Sequence, residues 1–239
     1  MSTAEGGGNI ITDGLVLYLD AANTKSFVSG NTIWNDLSSR ENIGTLINGP
    51  TFNTGNGGSV TFDGTNDYIE LTNDSRAQFT NRSQVTIEAW VNASSFAGSG
   101  GRIIYSQFFS GGNISCGIYL NTSGKLVFGY RDTVQQTGGS LKTLISNTTL
   151  LTNTIYHVAA TFEAGVATRV YINGSLDNTS VQNNNIASVN PDFIRIARLF
   201  TNGVDFFNGR IYSVKAYFRA LTPTEILQNY NALKSRFRY

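Results

Sequence analysis

The chain holds one cysteine and one histidine among its 239 residues. A lone cysteine forbids an intrachain disulfide, and one histidine with one cysteine falls short of a zinc ligand set. Charge is scarce as well: Asp, Glu, Lys and Arg make up 14% of the chain, and the net charge is +1. A nucleic-acid partner would call for a basic stripe, so that class is excluded. No apolar run approaches the ~20 residues of a membrane-spanning helix, which excludes membrane insertion. Residues 1–9 lack the basic and apolar regions of a secretory leader, and the missing disulfides agree with assembly in a reducing cytoplasm. Catalytic signatures are missing too. There is no Gly-x-Ser-x-Gly elbow, and Gly98-Ser-Gly-Gly101 precedes a strand pattern rather than a Lys-Ser/Thr helix start, so it is not a phosphate loop.

What the chain does have is apolar and aromatic filler, 40% and 12% of residues, under a surface rich in Asn, Ser, Thr and Gly. Short stretches with period-2 alternation recur at Leu15–Asp20, Ser59–Phe62, Tyr68–Leu71, Gln84–Asn92, Arg102–Gln107, Ser115–Asn121, Lys125–Arg131, Ile155–Phe162, Thr168–Asn173, Phe193–Leu199 and Phe207–Phe218. Such spacing, punctuated by Gly- and Asn-rich turns, predicts an antiparallel β-sandwich. Asn121-Thr-Ser-Gly124 and Asn173-Gly174 read as hairpin turns. Residues 1–9, with Gly6-Gly7-Gly8, read as a flexible arm or a docking anchor. Residues 10–239 read as one domain with no repeat or linker. Cys116, in Ser115-Cys-Gly-Ile118, is expected to be a small buried strand residue.

The C-terminal region is the most explicit. Gly209-Arg-Ile-Tyr-Ser-Val-Lys-Ala-Tyr-Phe218 alternates as a strand, placing Ile211, Ser213, Lys215 and Tyr217 opposite Tyr212, Val214, Ala216 and Phe218. Thr222, Pro223 and Glu225 then start a helix over 223–235. Ile226, Leu227, Tyr230 and Leu233 are expected to form its packed face. The tail carries Lys234, Arg236 and Arg238 among Phe237 and Tyr239, and reads either as an interaction arm or as a frayed end with cations at the helix C-terminus.

Four segments in order resemble laminin G-like, concanavalin A-type jelly rolls. They are Val60-Thr-Phe-Asp-Gly-Thr-Asn-Asp-Tyr-Ile69; Val85-Thr-Ile-Glu-Ala-Trp-Val91; Tyr156-His-Val-Ala-Ala-Thr-Phe162 with Val170-Tyr-Ile-Asn-Gly174; and Phe207-Asn-Gly-Arg-Ile211 with Arg219-Ala-Leu221. The resemblance implies an all-β jelly-roll sandwich closed by one short C-terminal helix, with His157 in a structural position. Relatives often carry acidic residues after the strand-opening Gly-x-Ile, where this chain has Tyr212-Ser213, so any binding role of those acids is not carried over.

Related folds often hold calcium on the sandwich rim. Asp20, Asp63 and Asp67, with carbonyls of the Asp63-Gly64 turn, are the candidate Ca²⁺ ligands. The alternative is that Asp63-Gly64 and Asn66-Asp67 simply form Asx turns. Glycan or subunit contact would need aromatic rings beside polar groups, and Phe108, Phe109, Asn113 and Phe206 have that composition. Phe206 is the freer neighbour of the family core position Phe207.

A glycoside hydrolase on this fold needs two carboxylates at set separation. The Glu-x-Asp-x-x-Glu pattern of laminarinase-like relatives is absent, and Glu70, Glu88 and Glu163 stand alone. The expectation is therefore a non-enzymatic virion surface protein of a tailed bacteriophage, either a capsid decoration protein or a tail or fibre component. It would be assembled in the host cytoplasm with other virion proteins or its own copies, and could touch host glycans. The alternative is a carbohydrate-binding or adhesion module of a bacterial surface system.

Overall fold

The computed structural model describes residues 9–72, 76–98, 100–109, 113–132, 141–181, 184–186, 190–199 and 205–237, with the side chains of Phe109 and Asn113 outside that description. In chain order the strands are β1 (Leu15–Asp20), β2 (Ile33–Asn35), β3 (Ile43–Ile47), β4 (Thr51–Asn53), β5 (Ser59–Asp63), β6 (Tyr68–Leu71), β7 (Gln84–Ala93) and β8 (Arg102–Phe109). There follow β9 (Asn113–Leu120), β10 (Lys125–Arg131), β11 (Leu141–Thr149), β12 (Ile155–Glu163), β13 (Ala167–Ile172), β14 (Ser175–Ser180), β15 (Phe193–Ile196) and β16 (Asn208–Tyr217). One helix, α1 (Pro223–Lys234), runs into a 3-10 turn at Ser235–Phe237.

These strands form two antiparallel sheets. The first has the order β14-β13-β12-β7-β16-β5-β4, with β1 also on β16; the second has the order β11-β10-β9-β8-β15-β6-β3-β2. Between them lies the expected core, in which Val85, Ile87, Ala89 and Val91 of β7 meet Cys116, Ile118, Leu126, Phe128 and Ile194. Asn173 and Gly174 turn β13 into β14 with φ of 51° and 78°, both positive as a type I′ turn requires. A side chain on Gly174 would also run into Tyr230 of α1. Among the described residues no helix is long and apolar enough to cross a membrane.

Five strands escape the sequence pattern: β2, β3, β4, β11 and β14. Three are short, and β11 and β14 are mostly polar edge strands with little burial to impose alternation. On β16 a bulge between Ile211 and Ser213 breaks the expected alternation. Ile211 therefore faces the inter-sheet core with Val214 and Ala216, while Tyr212 turns outward beneath Phe237.

At one flank the edges of the two sheets meet through side chains. Asp177 of β14 accepts from the Asn147 and Thr148 amides of β11, Asn147 Nδ2 donates to the Asp177 carbonyl, and Asn178 Nδ2 donates to the Ile145 carbonyl.

The outer face of the first sheet is covered. A capping box between Thr222 and Glu225, with Pro223 in the first turn, starts α1 as expected. Glu225 also takes a two-pronged ion pair from Arg219 at 2.7 and 2.9 Å. The packed face is Ile226, Asn229, Tyr230 and Leu233, not Leu227, which is 44% exposed. Positions 226, 229, 230 and 233 follow the i, i+3, i+4, i+7 helix stripe, and Leu227 lies one step around the helix from it. Nor does the tail fray as far as Phe237, the last of its residues described, Arg238 and Tyr239 lying outside the described residues. Phe237 stacks on Trp90 at 4.2 Å, and Arg236 bonds Asp20 at 2.6 Å and the carbonyls of Asn56 and Gly58.

Beneath α1 is a buried polar network. The cross-strand partners Lys215 and Glu88 form an ion pair at 2.7 Å, each side chain 1% exposed. Asn229 donates to Glu88 Oε2 (3.1 Å) and to the Tyr217 hydroxyl (3.0 Å), and its oxygen accepts from the Ile11 amide (2.7 Å). His157 is buried against Trp90 and Tyr230, with Nε2 3.7 Å from Glu88. The proposed arm, residues 1–9, lies outside the described residues except for Asn9, whose carbonyl accepts from Gln228.

Burial alone would raise the Glu88 carboxyl, but the Lys215 ammonium, with His157 beside it, outweighs burial and holds it down to about 2. The Arg219 fork lowers Glu225 to about 2 as well. Both carboxylates thus contribute stability above their ordinary 4.5 that is lost as the pH falls from 4.5 towards 2. Acid unfolding followed by circular dichroism should fall in that window, and Glu225→Gln should make it shallower. Lys215→Met leaves an uncompensated buried carboxylate and should cost about 3–5 kcal/mol in urea denaturation. The Glu88→Gln/Lys215→Met pair should recover part of that loss, whereas a single-variant cost near zero would contradict the assignment.

Candidate functional site

With the outer face of the first sheet occupied, the outer face of the second remains. Alternation on β6 and β15 turns Ile69, Leu71, Ile194 and Ile196 into the core, so Tyr68, Glu70, Phe193 and Arg195 point away from it. Strand pairing sets Arg195 directly between Glu70 of β6 and Ser106 of β8, and Phe193 opposite Phe108.

Arg195 is the centre of this face. Its Nε and Nη2 donate to Glu70 Oε2 at 2.8 and 2.7 Å. Its guanidinium carbon lies 4.1 Å from the Phe193 ring centre, 5.0 Å from Tyr68 and 5.1 Å from Phe108. Three rings and a carboxylate therefore fix the plane of a side chain that is otherwise mobile. Arg195 is 4% exposed and its Nη1 has no hydrogen-bond partner among the described residues. A second guanidinium, Arg198, lies 4.5 Å from Tyr68 and 5.2 Å from Phe206. Tyr68, Phe193 and Arg198 are half-buried, so their outer faces reach solvent.

Beside this cluster Arg102 donates to the Phe206 carbonyl at 2.9 Å. Burial pushes the Asp205 carboxyl up against the pull of Arg102, and Oδ1 of Asp205 is without a partner among the described residues. Burial, and then Asp205, raise the Tyr119 phenol. The face thus combines half-buried aromatic rings with two buried, unpartnered polar atoms beneath them, a donor on a fixed cation and a carboxyl oxygen.

The expected contact residues fall around this centre in unequal ways. Phe108 belongs to it, but as a ring 1% exposed and stacked on Phe193 at 5.3 Å, supporting Arg195 from below. Phe206 is not the free ring that strand alternation suggests: it is 4% exposed, because it lies outside any strand and folds in under Arg198. Phe109 and Asn113 are paired in register, and their side chains lie outside the described residues. The sequence reading missed Arg195, Tyr68, Glu70, Phe193 and Arg198. The available signal was aromatic-x-charged in both Tyr68-Ile-Glu70 and Phe193-Ile-Arg195; that the two strands are neighbours was not visible.

The three calcium candidates do not form one site. Asp63 and Asp67 are together, with the Asp63 amide donating to Asp67 Oδ2 at 3.1 Å. Asp63 Oδ1, however, accepts from the amides of Thr65, Asn66 and Asp67, as an Asx turn does. These donors lower the Asp63 carboxyl despite the opposing effect of its burial. Asp63 pairs with Asn208 and Asp20 with Ser213 along the same strand, five residues and so roughly 16 Å apart at about 3.3 Å per residue. Asp20 is in turn committed to Arg236, the Tyr18 hydroxyl and the Ala22 amide. Among the described residues no three acidic, histidine or cysteine side chains gather as a metal site.

If Glu70 fixes Arg195, its Nε–H should give one sharp, slowly exchanging signal in ¹⁵N NMR. Glu70→Gln, at a side chain 38% exposed, should keep the fold and broaden that signal.

No curated protein matches the sequence. Solved structures do match the fold. The binding domain of Paraclostridial mosquitocidal protein 1 superposes with a TM-score of 0.69 at 18% identity, over 92% of this chain and 52% of that one. The botulinum neurotoxin serotype D ligand-binding domain, solved with N-acetylneuraminic acid, gives 0.67 at 15% identity, over 92% and 51%. Domain 4 of AbnA, an extracellular arabinanase of Geobacillus stearothermophilus solved with arabinotriose, gives 0.63 at 16% identity, over 90% and 97%. The chain spans about half the length of the two toxin domains. Residues 63–227, more than half of the chain, match the model of the jelly-roll family that the four sequence segments resemble. The chain belongs to the concanavalin A-like lectin/glucanases superfamily.

Proposed function

We propose that this protein is a non-catalytic carbohydrate-binding domain that receives a glycan on the outer face of its second sheet. The observation that carries the reading is the cluster around Arg195: the half-buried rings of Tyr68 and Phe193 over a guanidinium that Glu70 and three rings fix, with its unpartnered Nη1 buried beneath them. Sugars offer the complement, hydroxyl or carboxylate oxygens to accept from the guanidinium and C–H faces to lie on aromatic rings. The arabinotriose and N-acetylneuraminic acid named for two structural neighbours are ligands of this chemical kind.

Catalysis is not part of the proposal, because the strand carboxylates are committed elsewhere. Glu88 is buried against Lys215, Glu70 holds Arg195, and Glu163 accepts from Gln84 at 2.9 Å. The setting we propose is the surface of a bacteriophage particle, as a capsid decoration or a tail or fibre component among other virion proteins. Its support is the weakly charged, Asn/Ser/Thr/Gly-rich surface composition.

The test is a glycan array carrying sialylated and arabinose-containing oligosaccharides, followed by calorimetry on the strongest hit. Arg195→Met should weaken binding by about tenfold or more, the scale of one charged hydrogen bond. Tyr68→Ala should weaken it as well, and the bound oligosaccharide should be recovered intact. Unchanged affinity in Arg195→Met, with the variant folded, would remove this face from the proposal.

A further inference from the structure

A cleft of about 310 Å³ opens where the two sheets meet, between the edge strand β2 with its neighbour β3 in one and the edge strand β4 of the other. It lies apart from the Arg195 cluster in its lining and its chemistry. Its floor is aromatic: Phe52 stacks on Phe27 at 5.4 Å, and Phe27 meets Trp34 edge-on at 5.9 Å. Phe27 is 3% exposed and Trp34 is wholly buried, so the stack is anchored in the core while Phe52 is half-buried at the cleft. Leu46 and Pro50 extend the apolar side.

The other side is polar. Ser29, Asn31, Thr32 and Thr51 line it with exposed side chains, none of which hydrogen-bonds to another group among the described residues. The backbone holding them is tied down, with the Asn31 amide on the Val28 carbonyl (3.0 Å) and the Leu46 amide on the Thr32 carbonyl (2.8 Å). Gly30 and Gly49, at φ of 90° and 106°, stand at the two turns with open space where a side chain would be. Among the described residues no charged one lines the cleft.

Each feature removes a class of ligand. Without a cation or a carboxylate in the lining, an anion or a metal ion would have no counter-charge. A purely apolar ligand would leave four hydroxyl and amide groups facing it without partners. The volume is at the small end of the roughly 300–1,000 Å³ range of ligand clefts, too little for an extended chain. What fits is a compact molecule with one C–H face and a rim of groups that both donate and accept. We propose that this cleft binds a single neutral sugar ring, stacked on Phe52 and hydrogen-bonded by Asn31 and the Ser29, Thr32 and Thr51 hydroxyls. The proposal stands on the cleft alone and does not depend on the Arg195 reading.

The experiment is ¹H–¹⁵N NMR of the full chain with methyl glycosides of glucose, galactose and arabinose, each titrated into the millimolar range. Saturable shifts of the amides in 29–32 and 49–52 are expected with at least one of them, unchanged in Arg195→Met. Asn31→Ala should weaken the binding several-fold, and Ser29→Trp, which fills the cleft from an exposed position, should abolish it. If either variant proves misfolded, the other still decides the matter. No saturable shift with any glycoside, shifts confined to the Arg195 face, or shifts that survive Ser29→Trp would each overturn the proposal.

Discussion

The interaction on which most of this structure depends is the ion pair between Glu88 and Lys215. Two charges on the outer face of a sheet would ordinarily stay in water, and there would then be no need to cover them. Here they are withdrawn from solvent, which is favourable only if the remaining oxygens and hydrogens of the pair find partners. Asn229 supplies one such partner, and supplies it from the helix. The helix cannot lift away without stranding Glu88, and residues near Ile11 are bound to the same amide group. Covering the pair therefore fixes the C-terminal helix, the 3-10 turn behind it and the segment leading into β1. It also decides which side of the molecule is open, because a face filled by Trp90, Tyr230 and Phe237 has no room for a ligand.

The second sheet uses a charge pair differently. Glu70 and Arg195 are bonded as closely as Glu88 and Lys215, yet Glu70 remains partly in solvent and Arg195 keeps one donor without a partner. The first pair closes a structure; the second fixes a guanidinium just beneath the half-buried rings of Tyr68 and Phe193. Partial exposure makes Glu70–Arg195 a weak contributor to stability. Fixing the guanidinium in advance lowers the ordering cost of any ligand that meets it.

The sandwich, its strand-rich middle and its capped helix were legible because burial imposes strong patterns. β7 alternates without interruption, and Thr222-Pro-Thr-Glu225 states the helix start outright. Weakly buried edges were not legible: β14 reads Ser-Leu-Asp-Asn-Thr-Ser and resembles a loop. The bulge at Tyr212 was hidden as well, because it is set by the neighbouring strand rather than by local sequence. So was the role of Asn229, a polar residue where a helix face should be apolar, since its three partners come from positions 11, 88 and 217. The site suffered the same difficulty. Tyr68 and Glu70 stand over a hundred residues before Phe193 and Arg195, and only the pairing of β6 with β15 joins them. Rings such as Phe206, judged by neighbours in sequence, were misplaced for want of neighbours in space.

The meeting of β11 and β14 has a consequence for how this molecule can associate with itself. An open strand edge presents a row of amides and carbonyls to which any extended segment can add, and this is how sheets grow between molecules. Along this flank Asp177, Asn147 and Asn178 already engage backbone groups of the opposite edge. Each sheet uses the other as its last neighbour, through side chains in place of a ladder. Growth of one continuous sheet from this flank would first require those contacts to break.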